Sequence, residues 1–379
     1  MTIASTVAAV LAAALMAGAA PAESGQRGDP DARREEIQRR RDALRERQGE
    51  LRQRQEELRR ARLEARRGPM ATEPFTALAK IGRQGTLTIV NPAGNVTLTG
   101  SSGNDVRIDA VKRAWGRTDA GARSALSDVE IEVVERQGAV DLRTLLPRQR
   151  PLDAEVDFTI AVPSGASVSV RALSGDVTVS GVRGELRVEA VGGNIKATSV
   201  GQVRLLRTLS GAVSLENVDS SDVTVSTLGG AVTIRQLKAQ SADLRTVGGD
   251  LIISDSEAER VMAQSLNGRV ELSGRLARTG RYSLQSQSGE IRLVPAGGDF
   301  ELEAATVNGT VRSDYPITVD DRREFGGPRA GRVGALGRAG RGAGRAGRGN
   351  ARILRGVSGS GGPLVTLRSF SGDIVITRR

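Results

Sequence analysis

The 379-residue chain has no cysteine and no histidine. Without thiols there are no disulfides, no thiolate metal sites and no lipoprotein-type cysteine anchor. Without imidazole the commonest general base and the commonest metal ligand are both missing, which points away from an enzyme. Aromatic residues make up only 2% of the chain (one Trp, two Tyr, five Phe). Any core must therefore be filled by Val, Leu, Ile and Ala, which suits a narrow solenoid interior better than a large globular one. Long apolar runs are lacking too, apart from residues 2–22, an uncharged Ala-rich stretch ending Ala20-Pro21-Ala22. This stretch reads as a secretory signal peptide cut before Glu23, although no basic n-region precedes it. The rival reading is an uncleaved membrane anchor.

What the chain does have is one phrase repeated from about Val168 onward. It reads Leu-Ser-Gly-Asp-Val-Thr-Val at 173–179, Val-Gly-Gly-Asn-Ile-Lys-Ala at 191–197 and Leu-Ser-Gly-Ala-Val-Ser-Leu at 209–215. Variants follow around glycines 230, 249, 268, 289 and 309, and the last copy, Phe-Ser-Gly-Asp-Ile-Val-Ile, stands at 370–376. The spacing holds near 19 residues until a 63-residue gap separates Gly309 from Gly372. A fixed period of this size with alternating hydrophobicity inside it marks a solenoid built from strands. Two and four residues after each glycine come pairs such as Val177/Val179, Val213/Leu215, Val232/Ile234 and Val270/Leu272. Seven and five residues before come Leu186/Val188, Val223/Val225, Ala242/Leu244 and Tyr282/Leu284. Alternate residues of a strand share a face, so these positions form aliphatic ladders pointing inward. Arg204 breaks one column and Ser313 another. The corner between the columns, Ser, Asn or Gly followed by Gly, is expected where the backbone takes positive φ.

The sequence divides into a signal peptide (1–22), an Arg/Glu-rich helical segment and linker (23–74), an N-terminal β region or cap (75–165) and β-solenoid repeats (166–379). A disordered Gly/Arg-rich insertion (326–361) interrupts the repeats, and residues 364–376 are expected to return as the closing turn. Within 31–67, Ile37, Leu44, Leu51 and Leu58 recur every seven residues, a helical signal whose apolar stripe is one residue wide. That stripe is too thin for a good coiled-coil seam, so a solvated helix held by Glu–Arg pairs is preferred to a dimeric coil. Between 75 and 165, strand patterns at 87–98, 106–111, 129–134, 140–142 and 156–162 are irregularly spaced, and Trp115 and the polar stretch to Ser127 form an excursion. A cap over the first coil is what a solenoid needs to protect an exposed edge.

The formal charge is +11. Segment 31–67 carries fourteen arginines against nine acids, and seven arginines without an acid fall between Arg329 and Arg352, so the β body is close to neutral. Arginine-rich appendages attract polyanions by counterion release without sequence specificity. The Gly/Arg tract lacks the interleaved aromatics that stack bases, so lipopolysaccharide, other anionic envelope polymers or extracellular DNA are better partners than RNA or a specific nucleic acid, and a solvated loop with no dedicated partner is the reading preferred to any of them. The corner acids Asp176, Asp250 and Asp373 resemble calcium-binding β-roll repeats only superficially. In the other copies their column reads Asn, Ala, Arg, Glu or Thr, and it reads as an outward turn position. Ser174, Ser210, Ser288 and Ser371 precede corner glycines with no histidine to activate them. Outward residues such as Glu185, Arg187, Glu189, Glu271, Arg292 and Glu301 are scattered with mixed sign. No catalytic, cofactor or metal residue is assigned.

The opening Leu87-Thr-Ile89 with Gly94-Asn-Val96, the strand 156–162 running into Pro163, and the serial Ser-Gly-Asp-Val phrases resemble a bacterial family of domains of unknown function labelled "putative adhesin". The resemblance spans about 75 to the C-terminus apart from the Gly/Arg loop, and implies a β-solenoid with no catalytic residues to carry over. The expected fold is all-β: a parallel β-helix of about 19-residue coils with an N-terminal charged helix and an irregular β cap. The expected function is a non-enzymatic, exported cell-envelope module that binds or supports. The alternatives are a scaffold self-assembling through its solenoid ends and, third, a polysaccharide-acting β-helix enzyme.

Overall fold

The computed structural model describes residues 68–146, 153–319 and 352–378. Each repeat closes into one layer. One strand precedes the glycine corner and one follows it, and both pair in parallel with their counterparts in neighbouring layers. After the corner the register runs Val96, Val177, Ile195, Val213, Val232, Leu251, Val270, Ile291, Ile374 and Val311, each paired with the next. Before it, Leu87, Val168 and Leu186 align, and further along Val223, Ala242, Val261, Tyr282, Val365 and Leu302. All of these except Val311 are buried. Each buried aliphatic side chain stabilises the fold by roughly 1.5–3 kcal/mol. One layer cannot bury its own rungs, so the stack is a single cooperative core.

The N-terminal cap begins outside the first layer, which is Thr86–Ala93 with Val96–Ser101. Ala139–Leu145 lies parallel to Thr86–Ala93, and Ala154–Pro163 parallel to Val96–Ser101. Beyond Ala154–Pro163 the sheet turns antiparallel through Asp105–Trp115 and ends at Met70–Lys80. The excursion after Trp115 contains a helix, Asp119–Ser127, which buries Ala122, Ala125 and Leu126. Its start is fixed by Thr118, whose hydroxyl accepts from the Gly121 N–H at 3.1 Å.

At the other end, layer order departs from chain order. Leu364–Ser369 lies between Arg281–Ser286 and Phe300–Thr306, and Ile374–Ile376 between Ile291–Pro295 and Val311–Ser313. The last repeat is therefore the penultimate layer, not the closing turn. The stack is closed by the coil around Gly309, whose first strand is covered by antiparallel Arg352–Ser358 and then Thr318–Val319. This antiparallel cover removes one of the two open parallel edges that a simple last coil would leave; the other strand of that coil, Val311–Ser313, pairs with Ile374–Ile376 on its inner side. Strand structure thus resumes inside the span assigned to the Gly/Arg insertion. The signal peptide, the charged helix and residues 320–351 lie outside the described residues.

The corner glycines have a different cause from the expected one. Positive φ occurs at Gly94, Gly175 and Gly193, while glycines 211, 230, 249, 268, 289, 309 and 372 do without it. What they share is proximity: a Cβ on Gly211 would overlap the carbonyl of Gly193, one on Gly230 that of Gly211, and so on to Gly372 over Gly289 and Gly309 over Gly372. The corners stack so closely that no side chain fits. A buried hydroxyl three residues earlier locks each contact. Thr227 Oγ1 donates to the Gly211 carbonyl at 3.0 Å and accepts from the Gly230 N–H at 3.2 Å. Thr246, Ser265 and Ser286 repeat this pair of bonds at their own corners. Where this position is Ala172 or Ala190, the glycine takes positive φ instead. The residue after the glycine is exposed but also works: Asp176 Oδ1 accepts from the Asn194 N–H at 2.7 Å, and Asp250 Oδ1 from the Arg269 N–H at 2.8 Å.

Arg204 does not break the core. The register slips between Leu186 and Arg187 against Val203 and Leu205, so Val203 fills the inward place and Arg204 bulges out. Left-handed backbone is found at the opposite, looser turn, at Gly181 and then at Ser199, Asn217, Gln236 and Asp255, each with φ between 53 and 69°. A side chain in that conformation costs roughly 1–2 kcal/mol.

Two stability predictions follow from these geometries. Gly230→Ala should lose about 3 kcal/mol in denaturant unfolding, whereas Gly297→Ala, with nothing near its added Cβ, should be close to neutral. Gln236→Gly should shift the unfolding midpoint upward, a net gain of about 0.5 kcal/mol after the entropy cost of glycine in the unfolded chain.

Candidate binding face

Because positions seven, five and three residues before each corner glycine point inward, positions six, four and two before it must face solvent. The row two residues before the glycine is aliphatic or aromatic in nearly every layer. It contains Leu173, Val191, Leu209, Leu228, Val247, Leu266, Phe370 and Val307, exposed by 36–58%. Gln287 is the polar exception. Main-chain bonds fix the order: Ser210 N–H to Val191 carbonyl, Gly229 to Leu209, Gly248 to Leu228, Asn267 to Val247, Ser288 to Leu266, Ser371 to Gln287 and Asn308 to Phe370. The result is a continuous ridge, one side chain wide, along the corner edge of the stack. Each member opens the repeated phrase, and sequence reasoning passed it over as part of the corner. The signal that could have found it is the alternation counted back from the buried Ser or Thr.

Beside the ridge, the row four residues before the glycine holds Arg171, Glu189, Arg207, Arg245 and Arg368, with Ser226, Gln264, Gln285 and Ala305 in the other layers. The next row adds Arg187, Asp243 and Glu303. Arg187 donates to Glu189 at 2.6 Å, Arg245 pairs with Asp243 at 2.9 Å and Arg368 with Glu303 at 3.5 Å. The hydrogen bond from Arg187 holds the Glu189 carboxyl below its ordinary range; partial burial opposes this, and the charges of Arg187, Arg171 and Arg207 reinforce it. Between Leu173, Val191 and Leu209 on one side and Arg171, Glu189 and Arg207 on the other runs an open, mainly apolar groove of about 470 Å³. At the looser turns, Ser199, Asn217, Asp219 and Ser220 line a polar depression of about 900 Å³.

The other residues singled out by the sequence are dispersed. Glu185 lies 3.5 Å from Arg204 and Arg292 pairs with Glu290 at 2.9 Å, in different layers. Among the described residues no group of three or more acidic, histidine or cysteine side chains is placed to hold a metal ion. Ser371 Oγ donates to the Gln287 carbonyl at 3.3 Å as part of the layer contact. None of the described helices is long and apolar enough to cross a membrane.

The family model for Toastrack DUF4097, a domain of unknown function, matches residues 84–327. The chain belongs to the Toastrack DUF4097 family. The matched span runs from the first layer of this Toastrack domain through the coil around Gly309. No curated protein matches the chain. Among solved structures, a "putative adhesin" from Bacteroides fragilis is 14% identical, covering 80% of this chain and 97% of its own, with a TM-score of 0.36. A "putative lipid binding protein" from Parabacteroides distasonis is 11% identical with the same coverage and a TM-score of 0.37. A "putative adhesin" from the same organism is 14% identical over 60% of this chain and 90% of its own, at 0.33. Likenesses this low transfer no ligand to this Toastrack protein.

The Glu189 geometry yields a pH prediction with a definite sign. A carboxyl whose folded pKa is depressed adds stability above its unfolded value and loses it as pH falls through the folded value. Arg187→Gln should move the Glu189 titration, followed by NMR, back up toward the ordinary glutamate range. It should also remove the part of the stability loss that falls just below that range.

Proposed function

We propose that this Toastrack protein is a non-enzymatic, exported β-solenoid serving as an adhesin-like binding or structural module at the cell envelope. The observation that carries this reading is the division of labour in each layer. Inward positions are spent on the aliphatic core and corner positions on layer contacts, which leaves only outward rows for chemistry. Those rows repeat one residue per layer, with acids and arginines paired two residues apart on the same strand, as in Arg187–Glu189 and Arg245–Asp243. Repetition on a stiff frame suits display to an extended partner. It does not assemble an acid and a base around one reacting bond.

The arginine-rich segments 31–67 and 329–352 extend the reading: they recruit anionic envelope polymers by charge alone. Self-assembly through the solenoid ends is disfavoured by the ends themselves. Of the two outer N-terminal strands, Met70–Lys80 carries Pro74 in its middle, and Glu130–Arg136, paired with Ala139–Leu145, carries Glu130, Glu132, Glu135 and Arg136; edge proline and edge charge both oppose addition of another strand. At the C-terminal end antiparallel strands cover Phe300–Thr306, while Val311–Ser313 pairs among the described residues with Ile374–Ile376 on its inner side.

Binding of the full chain to lipopolysaccharide and to sheared DNA should weaken steeply between low and physiological salt. It should weaken further when residues 327–351 are replaced by a short neutral linker. Salt-independent binding, or turnover of envelope glycans by the purified chain, would overturn the reading.

A further inference from the structure

We propose that Asn308, before the corner glycine of the closing coil, is a site of spontaneous deamidation, through which the folded protein acquires a new carboxylate and an isoaspartyl backbone at the C-terminal end of the stack. This is independent of the binding reading and concerns the lifetime of the stack itself.

An asparagine followed by glycine exposes its side-chain amide to the next backbone nitrogen, because glycine puts no Cβ in the way. The dipeptide occurs twice in the chain, at Asn267-Gly268 and Asn308-Gly309, each time at a corner with the asparagine exposed. The reaction needs only water. The glycine nitrogen bonds to the asparagine side-chain carbonyl carbon, the bond from that carbon to the amide nitrogen breaks, and ammonia leaves with the proton that the glycine nitrogen gave up. Water then opens the cyclic imide at one carbonyl or the other. One opening gives aspartate, and the other gives isoaspartate, in which the main chain runs through the former side chain.

The two corners differ in how firmly the attacking nitrogen is held. Gly268 N–H donates to Ser265 Oγ at 2.8 Å, between Asn267 N–H on the Val247 carbonyl at 2.9 Å and Arg269 N–H on Asp250 Oδ1 at 2.8 Å. Gly268 is buried, with the corner of Gly249 on one side and that of Gly289 on the other. At the closing coil Asn308 N–H donates to the Phe370 carbonyl at 2.9 Å and Thr310 N–H to Asp373 Oδ1 at 2.7 Å. Thr306 Oγ1, however, bonds the Gly372 carbonyl without accepting from Gly309, whose N–H has no acceptor among the described residues. Gly309 lies over Gly372, and no further described corner lies over Gly309. An amide that already donates must break that bond before its nitrogen can turn onto a side chain, and the end of a stack opens more readily than its middle.

Isoaspartate at 308 adds one methylene to the main chain between Phe300–Thr306 and Val311–Ser313. That span is held by the amides of Asn308 and Thr310 and by Ile374 N–H on the Thr310 carbonyl at 2.8 Å. A longer path cannot keep all three bonds, so Val311–Ser313 is released from Ile374–Ile376.

The test incubates the purified full chain in mildly alkaline buffer, folded and in urea. Trypsin then isolates Asn267 in peptide 261–269 and Asn308 in peptide 293–312, and mass spectrometry follows the conversion of amide to acid. In the folded chain Asn308 should convert at least about tenfold faster than Asn267, the difference set by opening at the end against the middle of the stack. In urea the two should convert at similar rates. Ser265→Ala, which frees the Gly268 N–H, should raise the rate at 267 relative to that at 308; if this variant fails to fold, the parent comparison decides alone. In hydrogen exchange the Ile374 amide should lose protection in the isoaspartyl fraction and keep it in Asn308→Asp. Equal rates at the two sites in the folded chain, faster conversion at 267, or a folded chain that converts at neither site while the unfolded chain reacts would overturn the site. Full protection of Ile374 in the isoaspartyl fraction would overturn the release of the closing strand.

Discussion

The structure depends on how closely one layer of backbone can lie on the next at the glycine corner. There the chain reverses between two strand columns, and the carbonyl of one corner glycine occupies the place where the Cβ of the next would be. Ser or Thr three residues back joins the two layers by donating to the carbonyl below and accepting from the amide above. This contact sets the pitch, and the pitch brings the aliphatic rungs into register. A corner that stood farther off would splay the layers and open gaps in an interior packed at the density of an organic crystal.

From the same constraint comes the character of the surface. Once every second position is committed to the core and the corner to stacking, functional variation is confined to outward rows, each contributing one residue per layer. That rule favours extended, repetitive contacts over a clustered site. The apolar row two residues before the glycine has the most consistent chemistry, and it lies on the corner edge of the stack. The looser turn edge is polar and absorbs irregularity, including left-handed backbone at residues with side chains.

Period and alternation made the architecture legible: Val177, Val213, Val232 and Val270 stand in layers joined through Ile195 and Leu251, as the 19-residue spacing implies. Three things were hidden. A glycine in a turn suggests positive φ, and only coordinates distinguish that need from close stacking; the Ser/Thr column three residues earlier was the available hint. Arg204 looked like a broken rung because fixed-offset counting cannot see a bulge. Layer order at the C-terminus could not be read at all, since the last repeat carries the same phrase whether it lies inside or at the end. The ridge was written in all but one copy of the repeat, but leucine and valine beside a corner read as packing until the inward positions are counted out.

The interleaved last repeat tests the register most directly. With no native thiols, paired cysteines at Arg292 and Val375, which lie opposite one another in adjacent strands, should oxidise readily to an intramolecular disulfide. Paired cysteines at Arg292 and Arg312 should not, because the strand Ile374–Ile376 separates them. Efficient closure of the second pair and failure of the first would mean that the layers follow chain order, and would contradict the stacking described here.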